Sequence, residues 1–290
     1  MKPLALILTL CALAFLPSAL HAQAPAKTFV ASFGNDANDG SRGSPKRNFQ
    51  SAHDAVAAGG QIVVLDTAGY GQLNITKSLA ITVPAGVNGF ITVVGGTGNG
   101  ITINGPSNVG VILRGLIIEG SGLAAGNIGV YSMKAVNLVL EGCTIRGFTD
   151  GVRQELAGSS TSLKDCVLLG CTNGFSLTPF STGATSANIS RCSFELNGET
   201  GLSIVNNNNT NAIVTVTVGG SLFYRNKTGI VAAAFSGSPA QARVLVSDCV
   251  ITDNVSGVVV NGPGVVLSRG NNTLTNNGGG NAFSGTYGAQ

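Results

Sequence analysis

The segment GFTDGVRQE, residues 147–155, holds the side chains best suited to acid–base chemistry, namely Asp150, Arg153 and Glu155. Side-chain alternation along a strand predicts that Arg153 and Glu155 lie on the same side. Two carboxyl groups roughly 5–9.5 Å apart are the arrangement that glycosidases use on a sugar bond. The alternative is a solvated ion pair on the surface, which is common for such residues and contributes little.

A second group of residues suits binding instead of catalysis. Three long polar segments, 177–187, 205–212 and 232–242, follow glycine positions in the chain. Aromatic rings there can stack on sugar rings, and amides can hydrogen-bond to hydroxyls. The candidate ligand-binding residues are Phe180, Asn206, Asn207, Asn208, Asn209, Phe235 and Gln241. The alternative is that these segments are insertions tolerated at corners of the chain.

The remaining reactive residues point to structure. Cys143, Cys166, Cys192 and Cys249 recur at one position of a repeated motif, which predicts buried thiols that pack as small apolar groups. Cys171 occupies a position that asparagine fills elsewhere, and it is also interpreted as structural. No CxxC, HExxH, GxSxG or phosphate-binding loop occurs in the sequence. We therefore predict no cofactor and no metal site.

The repeated motif determines the predicted fold. Seven segments can be aligned so that a small residue, a large apolar residue and a polar residue each keep to one column. The segments begin at residues 115, 142, 165, 191, 220, 248 and 271. The third column reads Ser121, Phe148, Cys171, Asn197, Asn226, Asn254 and Asn277. Steps of 23–29 residues are too short for separate domains, so each unit is interpreted as one turn of a coil.

Short β-type runs between Gly, Asn and Ser corners predict that the coil is built from strands. Each strand then pairs with its equivalent one turn later, about 4.8 Å away, and like side chains stack. This predicts an all-β, right-handed, single-stranded parallel β-helix. The asparagine column forms a corner ladder, and a glycine shortly after it supplies backbone freedom at the bend. Residues 45–58 are predicted to form a helix that covers the N-terminal end of the solenoid.

The N-terminal residues resemble an export signal. Lys2 precedes an apolar run from Leu4 to Leu16, and cleavage is expected after Ala22. The predicted divisions are therefore a signal peptide over 1–22, an N-terminal strand with the capping helix over 23–65, and β-helix coils over 66–290. Charged residues form 10% of the chain and Trp is absent, which favours a β-rich fold. The formal net charge of +3 does not suggest a nucleic-acid partner.

The opening TFVASFGNDAND (28–39), the closing RGNNTLTNN (269–277) and the repeats between them resemble the pectin-lyase-like right-handed β-helix superfamily. More narrowly, the chain is similar to exported, mostly uncharacterised bacterial β-helix proteins. The resemblance implies the fold, but the superfamily includes lyases, glycosidases, esterases, epimerases and adhesins. The acidic clusters of its calcium-dependent lyases and the Asp and His motifs of its polygalacturonases do not occur in this sequence.

These observations favour a secreted or surface-associated β-helix, in the periplasm or outside the cell. It is expected to bind extracellular polysaccharide or matrix as a monomer, without a membrane span. A divergent polysaccharide lyase or glycosidase centred on Asp150, Arg153 and Glu155 is the first alternative. A structural or adhesive rod is the second.

Overall fold

The computed structural model describes residues 24–96, 98–106, 108–122, 126–206, 212–235 and 241–288. Almost all regular structure in these ranges is β-strand, arranged in three parallel sheets. After the first two strands, which pair with each other, consecutive strands belong to different sheets, and every third strand pairs within the same sheet through most of the chain. The chain is therefore a parallel β-solenoid, as the repeats predict.

Sheet 1 has 11 strands and sheets 2 and 3 have nine and eight. Sheet 1 comprises Lys27–Val30, Gly60–Val64, Leu79–Thr82, Val109–Arg114, Ala135–Glu141, Ser160–Lys164, Thr185–Ser190, Ile213–Gly219, Gln241–Ser247, Gly264–Ser268 and Gly285–Thr286. Sheet 2 comprises Ala68–Gly69, Gly89–Val94, Leu116–Ser121, Thr144–Arg146, Val167–Leu169, Ser193–Glu195, Leu222–Tyr224, Val250–Thr252 and Thr273–Thr275. Sheet 3 comprises Leu73–Ile75, Ile101–Ile103, Ile128–Ser132, Asp150–Gln154, Asn173–Leu177, Thr200–Asn206, Thr228–Ala234 and Ser256–Asn261.

Like residues stack in the register that the repeats predict. In sheet 2, Ile145 pairs with Leu168, and Phe194 pairs with Phe223. Both phenylalanine rings are fully buried and stack at 4.8 Å between centroids. Since strand side chains alternate, these columns form the apolar bore while their neighbours face outward. The predicted columns and the predicted fold are confirmed.

The corner between sheets 2 and 3 carries a buried asparagine ladder. Asn197, Asn226, Asn254 and Asn277 are buried, and each amide hydrogen-bonds to the next at 2.8–3.0 Å. The residue before the third column of the repeat adopts positive φ on six of the seven turns, whether or not it is glycine. These residues are Gly147, Gly170, Leu196, Arg225, Asp253 and Asn276. The bend is therefore made one residue before the ladder.

The glycine column after the ladder has a different role from the one predicted. Gly129, Gly151, Gly174, Gly201, Gly229 and Gly257 do not adopt positive φ, and only Gly280 of the column does. A Cβ on Gly174 would lie 2.5 Å from the Gly201 carbonyl oxygen and 2.9 Å from Cδ1 of Phe194. The column is therefore required for close approach of successive turns to the core, and the prediction that it frees the bend is wrong for these six glycines.

Replacing Gly174 by alanine is expected to lower the free energy of unfolding by about 1–3 kcal/mol, because the backbone of the next turn must move. Chemical denaturation followed by circular dichroism measures the change. Gly110→Ala is the matched control, since Gly110 lies inside a strand and an added Cβ meets no atom within 4 Å. Equal stabilities for the two variants would contradict the close-approach interpretation.

The predicted helix is present but shorter than expected, spanning Phe49–Ala55 instead of 45–58. Its start is set by Asp36, whose carboxylate accepts hydrogen bonds from the backbone N–H groups of Arg47 and Asn48, both at 2.9 Å. It ends where Val56 turns extended. Phe49 and Ala52 are buried against the first turns, so the helix covers that end of the bore.

All five cysteines in the described ranges are free and buried. Cys143, Cys166 and Cys192 follow one another on adjacent turns, as the aligned segments predict. Burial raises the pKa of the Cys171 and Cys249 thiols to about 11, which suits packing groups and not nucleophiles. In the same ranges no helix is long and apolar enough to cross a bilayer.

Candidate functional site

The candidate catalytic residues lie on the outer face of sheet 3. Asp150 begins the strand Asp150–Gln154, Arg153 points outward from it, and Glu155 follows its last residue. The Arg153 guanidinium contacts both carboxylates, with Nη1 3.4 Å from Asp150 Oδ2 and Nε 2.8 Å from Glu155 Oε1. The prediction that Arg153 and Glu155 share a side is confirmed. The Nε contact is an ion pair without hydrogen-bond alignment.

These side chains are more enclosed than a solvated surface pair. The Asp150 side chain is 5% exposed and that of Glu155 is 15% exposed. Asp150 Oδ1 accepts hydrogen bonds from Ser176 Oγ at 2.7 Å and from Asn173 Nδ2 at 2.9 Å. Glu155 Oε2 accepts one from the Tyr131 hydroxyl at 2.7 Å. Each carboxylate is therefore held in place by residues of a neighbouring turn.

Tyr131, Asn173 and Ser176 complete this cluster and were not predicted from the sequence. Register explains their position, because Tyr131 and Ser176 pair with Arg153 on the two adjacent strands. Tyr131 and Ser176 each lie two residues after a glycine of the column, and Asn173 lies directly before one. The glycine column therefore contained the signal, since counting from it identifies the outward position on every turn.

The outward position forms a row that continues along the sheet. Tyr131, Arg153, Ser176 and Ser203 occupy it on four consecutive strands. We refer to these four residues as the outer row. Beside it, Asn173 Oδ1 accepts a hydrogen bond from the Thr200 hydroxyl at 2.8 Å. The row carries a phenol, a guanidinium and two hydroxyls at the spacing of successive turns, about 4.8 Å, and the Ser176 hydroxyl among them is buried against Asp150.

The Tyr131 hydroxyl is held in its protonated form. Burial and the hydrogen bond to Glu155 raise its pKa to about 12 from an ordinary value of 10.0. A phenol in this state donates a hydrogen bond and does not act as a base near neutral pH. Among the described residues, no group of three or more His, Cys, Asp or Glu side chains is arranged to hold a metal ion.

The raised pKa of Tyr131 predicts a pH dependence of stability. Folding favours the neutral phenol, so its contribution is complete below about pH 10 and is lost as the pH rises through about 12. The Tyr131→Phe variant is expected to lose less stability over this alkaline interval than the wild type. Urea denaturation at a series of alkaline pH values measures the slope, and identical slopes for the two proteins would refute the assignment.

The long connections predicted to bind ligand all lead from sheet 3 to sheet 1. Phe180 and Phe235 are 60% and 59% exposed. Phe180 lies three residues after the strand that ends at Leu177, and Phe235 lies directly after the strand that ends at Ala234, on turns two apart. Two exposed rings therefore lie on connections that leave sheet 3 in the same direction, toward sheet 1.

The amide candidates are placed differently. Asn206 is fully buried, and its Nδ2 donates to the carbonyl oxygens of Ala212 and Gln241, both at 2.9 Å. This amide nitrogen therefore ties adjacent turns together and does not face a ligand. Gln241 is half-buried at the start of its strand in sheet 1. Asn207, Asn208 and Asn209 lie outside the described residues.

Comparison with known proteins agrees with this architecture. Residues 80–218 match the family model described as right handed beta helix region. Comparison with curated protein sequences gives no match.

Several solved structures are similar in backbone course. The pectate lyase Pel9A is 15% identical with a TM-score of 0.47, covering 86% of this chain and 72% of its own. The pectin methylesterase from Aspergillus niger is 14% identical with a TM-score of 0.43, covering 92% of each chain. A rhamnogalacturonan lyase is 13% identical with a TM-score of 0.41, covering 77% and 74%. These likenesses concern the course of the chain and carry nothing about activity. With three parallel sheets and a stacked bore, the chain folds as a parallel β-helix, and residues 80–218 match the right handed beta helix region.

Proposed function

We propose that this protein binds a polysaccharide along the outer face of sheet 3. The observation that carries the proposal is the outer row, which repeats a polar side chain at one register position on four consecutive strands. A linear ligand with regularly spaced hydroxyl groups matches such a row, because each hydroxyl both donates and accepts hydrogen bonds. The exposed rings of Phe180 and Phe235, on connections that leave the same sheet, offer apolar faces for sugar rings.

The hydrogen bonds of the cluster favour binding over turnover. Arg153 is engaged by two carboxylates, and a guanidinium remains charged in proteins, so it is a poor general base. Tyr131 is a donor. Side chains held by neighbouring turns lose little freedom when a ligand binds, which lowers the entropic cost of association.

Affinity measurements on the aromatic pair test the proposal. The Phe180→Ala, Phe235→Ala double variant is expected to bind its polysaccharide about tenfold more weakly, in line with the loss of two stacking contacts. Both rings are exposed, so folding is unaffected. Phe33→Ala is the matched control because Phe33 is an exposed ring near the N-terminal end, 72% accessible. Isothermal titration against neutral and acidic polysaccharides measures the affinity. Binding of the wild-type protein to none of them would refute the proposed function.

We propose in addition that the protein is exported and acts outside the cytoplasm. The support is the pattern of Lys2 and the apolar run Leu4–Leu16, which belongs to residues outside the described ranges. N-terminal sequencing of protein from the culture medium and from cell fractions tests this. A protein retained in the cytoplasm with residues 1–22 intact would contradict it.

A second candidate is a divergent polysaccharide lyase or glycosidase. It is favoured by the convergence of Asp150, Arg153 and Glu155, whose carboxylates are enclosed and face one guanidinium. Release of unsaturated or reducing sugar ends is its required signature. Both Asp150→Asn and Arg153→Ala should abolish that release, while Arg243→Ala on the outer face of sheet 1 should leave it unchanged.

A further inference from the structure

The outer row continues toward the N-terminal end of sheet 3 and leads into an open groove. Thr102 pairs with Tyr131, and Asn74 pairs with Thr102, so both extend the row by register. Next to them lies a groove of about 380 Å³ between the first two strands of sheet 3 and the capping helix. Its lining residues are Gln50, Gln72, Leu73, Asn74, Gly98, Asn99 and Thr102.

Amide groups dominate this groove, and several are fixed in orientation. Asn99 Oδ1 accepts from the Ile128 backbone N–H at 2.9 Å, and its Nδ2 donates to Thr102 Oγ1 at 3.1 Å. Gln50 Oε1 accepts from the Asn74 backbone N–H at 2.9 Å. The Asn74 and Gln72 side chains are exposed at the groove surface. Amides of this kind donate and accept hydrogen bonds without contributing charge.

The charges along the extended row do not favour an anion. Among the described residues that line the groove, none carries a charged side chain. Farther along, Asp150 and Glu155 oppose Arg153, which is paired with both. Lys134 is exposed just beyond the strand Ile128–Ser132. Counted together, the two acidic and two basic side chains carry no net positive charge. A polyuronate would have to approach two carboxylates and compete with them for the one guanidinium, and such like-charge contacts reject a ligand.

We infer that the ligand of sheet 3 is an uncharged glycan, and that the amide-lined groove beside Asn74 is a binding subsite for one end of it. This inference rests on the proposed function and specifies its ligand. From Asn74 to Ser203 the row spans six consecutive strands, about 24 Å along the solenoid axis. The ligand is therefore expected to be an extended chain of several sugar units, and short oligosaccharides should bind more weakly.

Pairs of polysaccharides that share a backbone and differ in charge test the ligand class. Suitable pairs are hydroxyethylcellulose with carboxymethylcellulose, and carboxyl-reduced with native polygalacturonate. In any pair that is bound, the neutral member should bind at least tenfold more tightly, with little dependence on salt. Tighter binding of the charged member would overturn the inference and leave the proposed function standing. Binding to no member of a broad panel would overturn both.

Two variants test the assignment of charge and subsite. Asp150→Asn with Glu155→Gln removes both carboxylates, so affinity for the charged polysaccharide should rise at least fivefold. The preference for the neutral polysaccharide over the charged one should become smaller. Asn74→Ala should weaken binding of the neutral polysaccharide about threefold to tenfold. Asn188→Ala is its matched control, an exposed asparagine on the outer face of sheet 1. Unchanged affinity in Asn74→Ala would refute the groove as a subsite, and an unchanged preference in the carboxylate variant would refute the charge argument.

Discussion

The Asn226→Ala variant is expected to lose about 4 kcal/mol of stability, because one side chain serves three turns of the solenoid. Asn226 Oδ1 accepts from the backbone N–H of Asn197 at 3.1 Å and from its amide at 2.8 Å. Its Nδ2 donates to the Phe194 carbonyl oxygen at 2.9 Å. Alanine leaves the Asn197 N–H and the Phe194 carbonyl buried without these partners, and each such group costs about 1–3 kcal/mol.

Urea denaturation followed by far-ultraviolet circular dichroism measures this loss. Asn188→Ala provides the control, since an exposed asparagine on a strand should change stability by no more than about 0.5 kcal/mol. Because solenoid turns interact mainly with their neighbours, hydrogen exchange should quicken first in the turns around residue 226. An Asn226→Ala protein as stable as the control would show that the ladder is not a principal source of stability.

The Phe223→Ala variant is expected to lose a similar amount, about 3–5 kcal/mol, for a different reason. Phe223 is fully buried and lies parallel to Phe194, with 2° between the ring planes. Truncation removes apolar contacts and leaves a cavity inside the bore. Adjacent turns cannot collapse to fill it, because their spacing is set by the hydrogen bonds of three sheets.

Phe223→Leu separates the cavity from the loss of the ring. Leucine retains much of the buried volume and should cost less than about 1.5 kcal/mol. Phe33→Ala, at a 72% exposed ring, controls for phenylalanine removal as such. Calorimetry and urea denaturation should find Phe33→Ala the most stable of the three variants, Phe223→Leu intermediate and Phe223→Ala the least stable. If Phe223→Ala were no less stable than Phe223→Leu, packing in the bore would not depend on volume.

The fold and the site of this protein place different demands on the same repeat. Inward columns must remain similar from turn to turn, and so must the corner asparagines on the four turns that carry them, because each contacts its equivalents above and below. The outward positions carry no such restriction. Function is therefore expected on the outer face of sheet 3 and on its connections to sheet 1. There the outer row carries a phenol, a guanidinium and two hydroxyls while the bore stays apolar.

Much of the architecture was determined by the sequence alone. The stacked columns, the asparagine ladder, the buried thiols and the shared side of Arg153 and Glu155 follow from periodicity, because in a solenoid equal positions in the repeat become equal positions in space. The helix was predicted too long because its start depends on Asp36, a residue outside its own segment. Such a cap is invisible to local propensity.

Only the tertiary structure decided which turns meet side by side and what each outward side chain touches. The contact of Tyr131 with Glu155, the bonds from Ser176 and Asn173 to Asp150, and the groove beside Asn74 each join residues of different turns or of the cap. The burial of Asn206 could not be predicted from the sequence either. Connections of different length change the sequence distance between neighbours in space, so charge, exposure and hydrogen bonding at these positions depend on register, which only the folded solenoid determines.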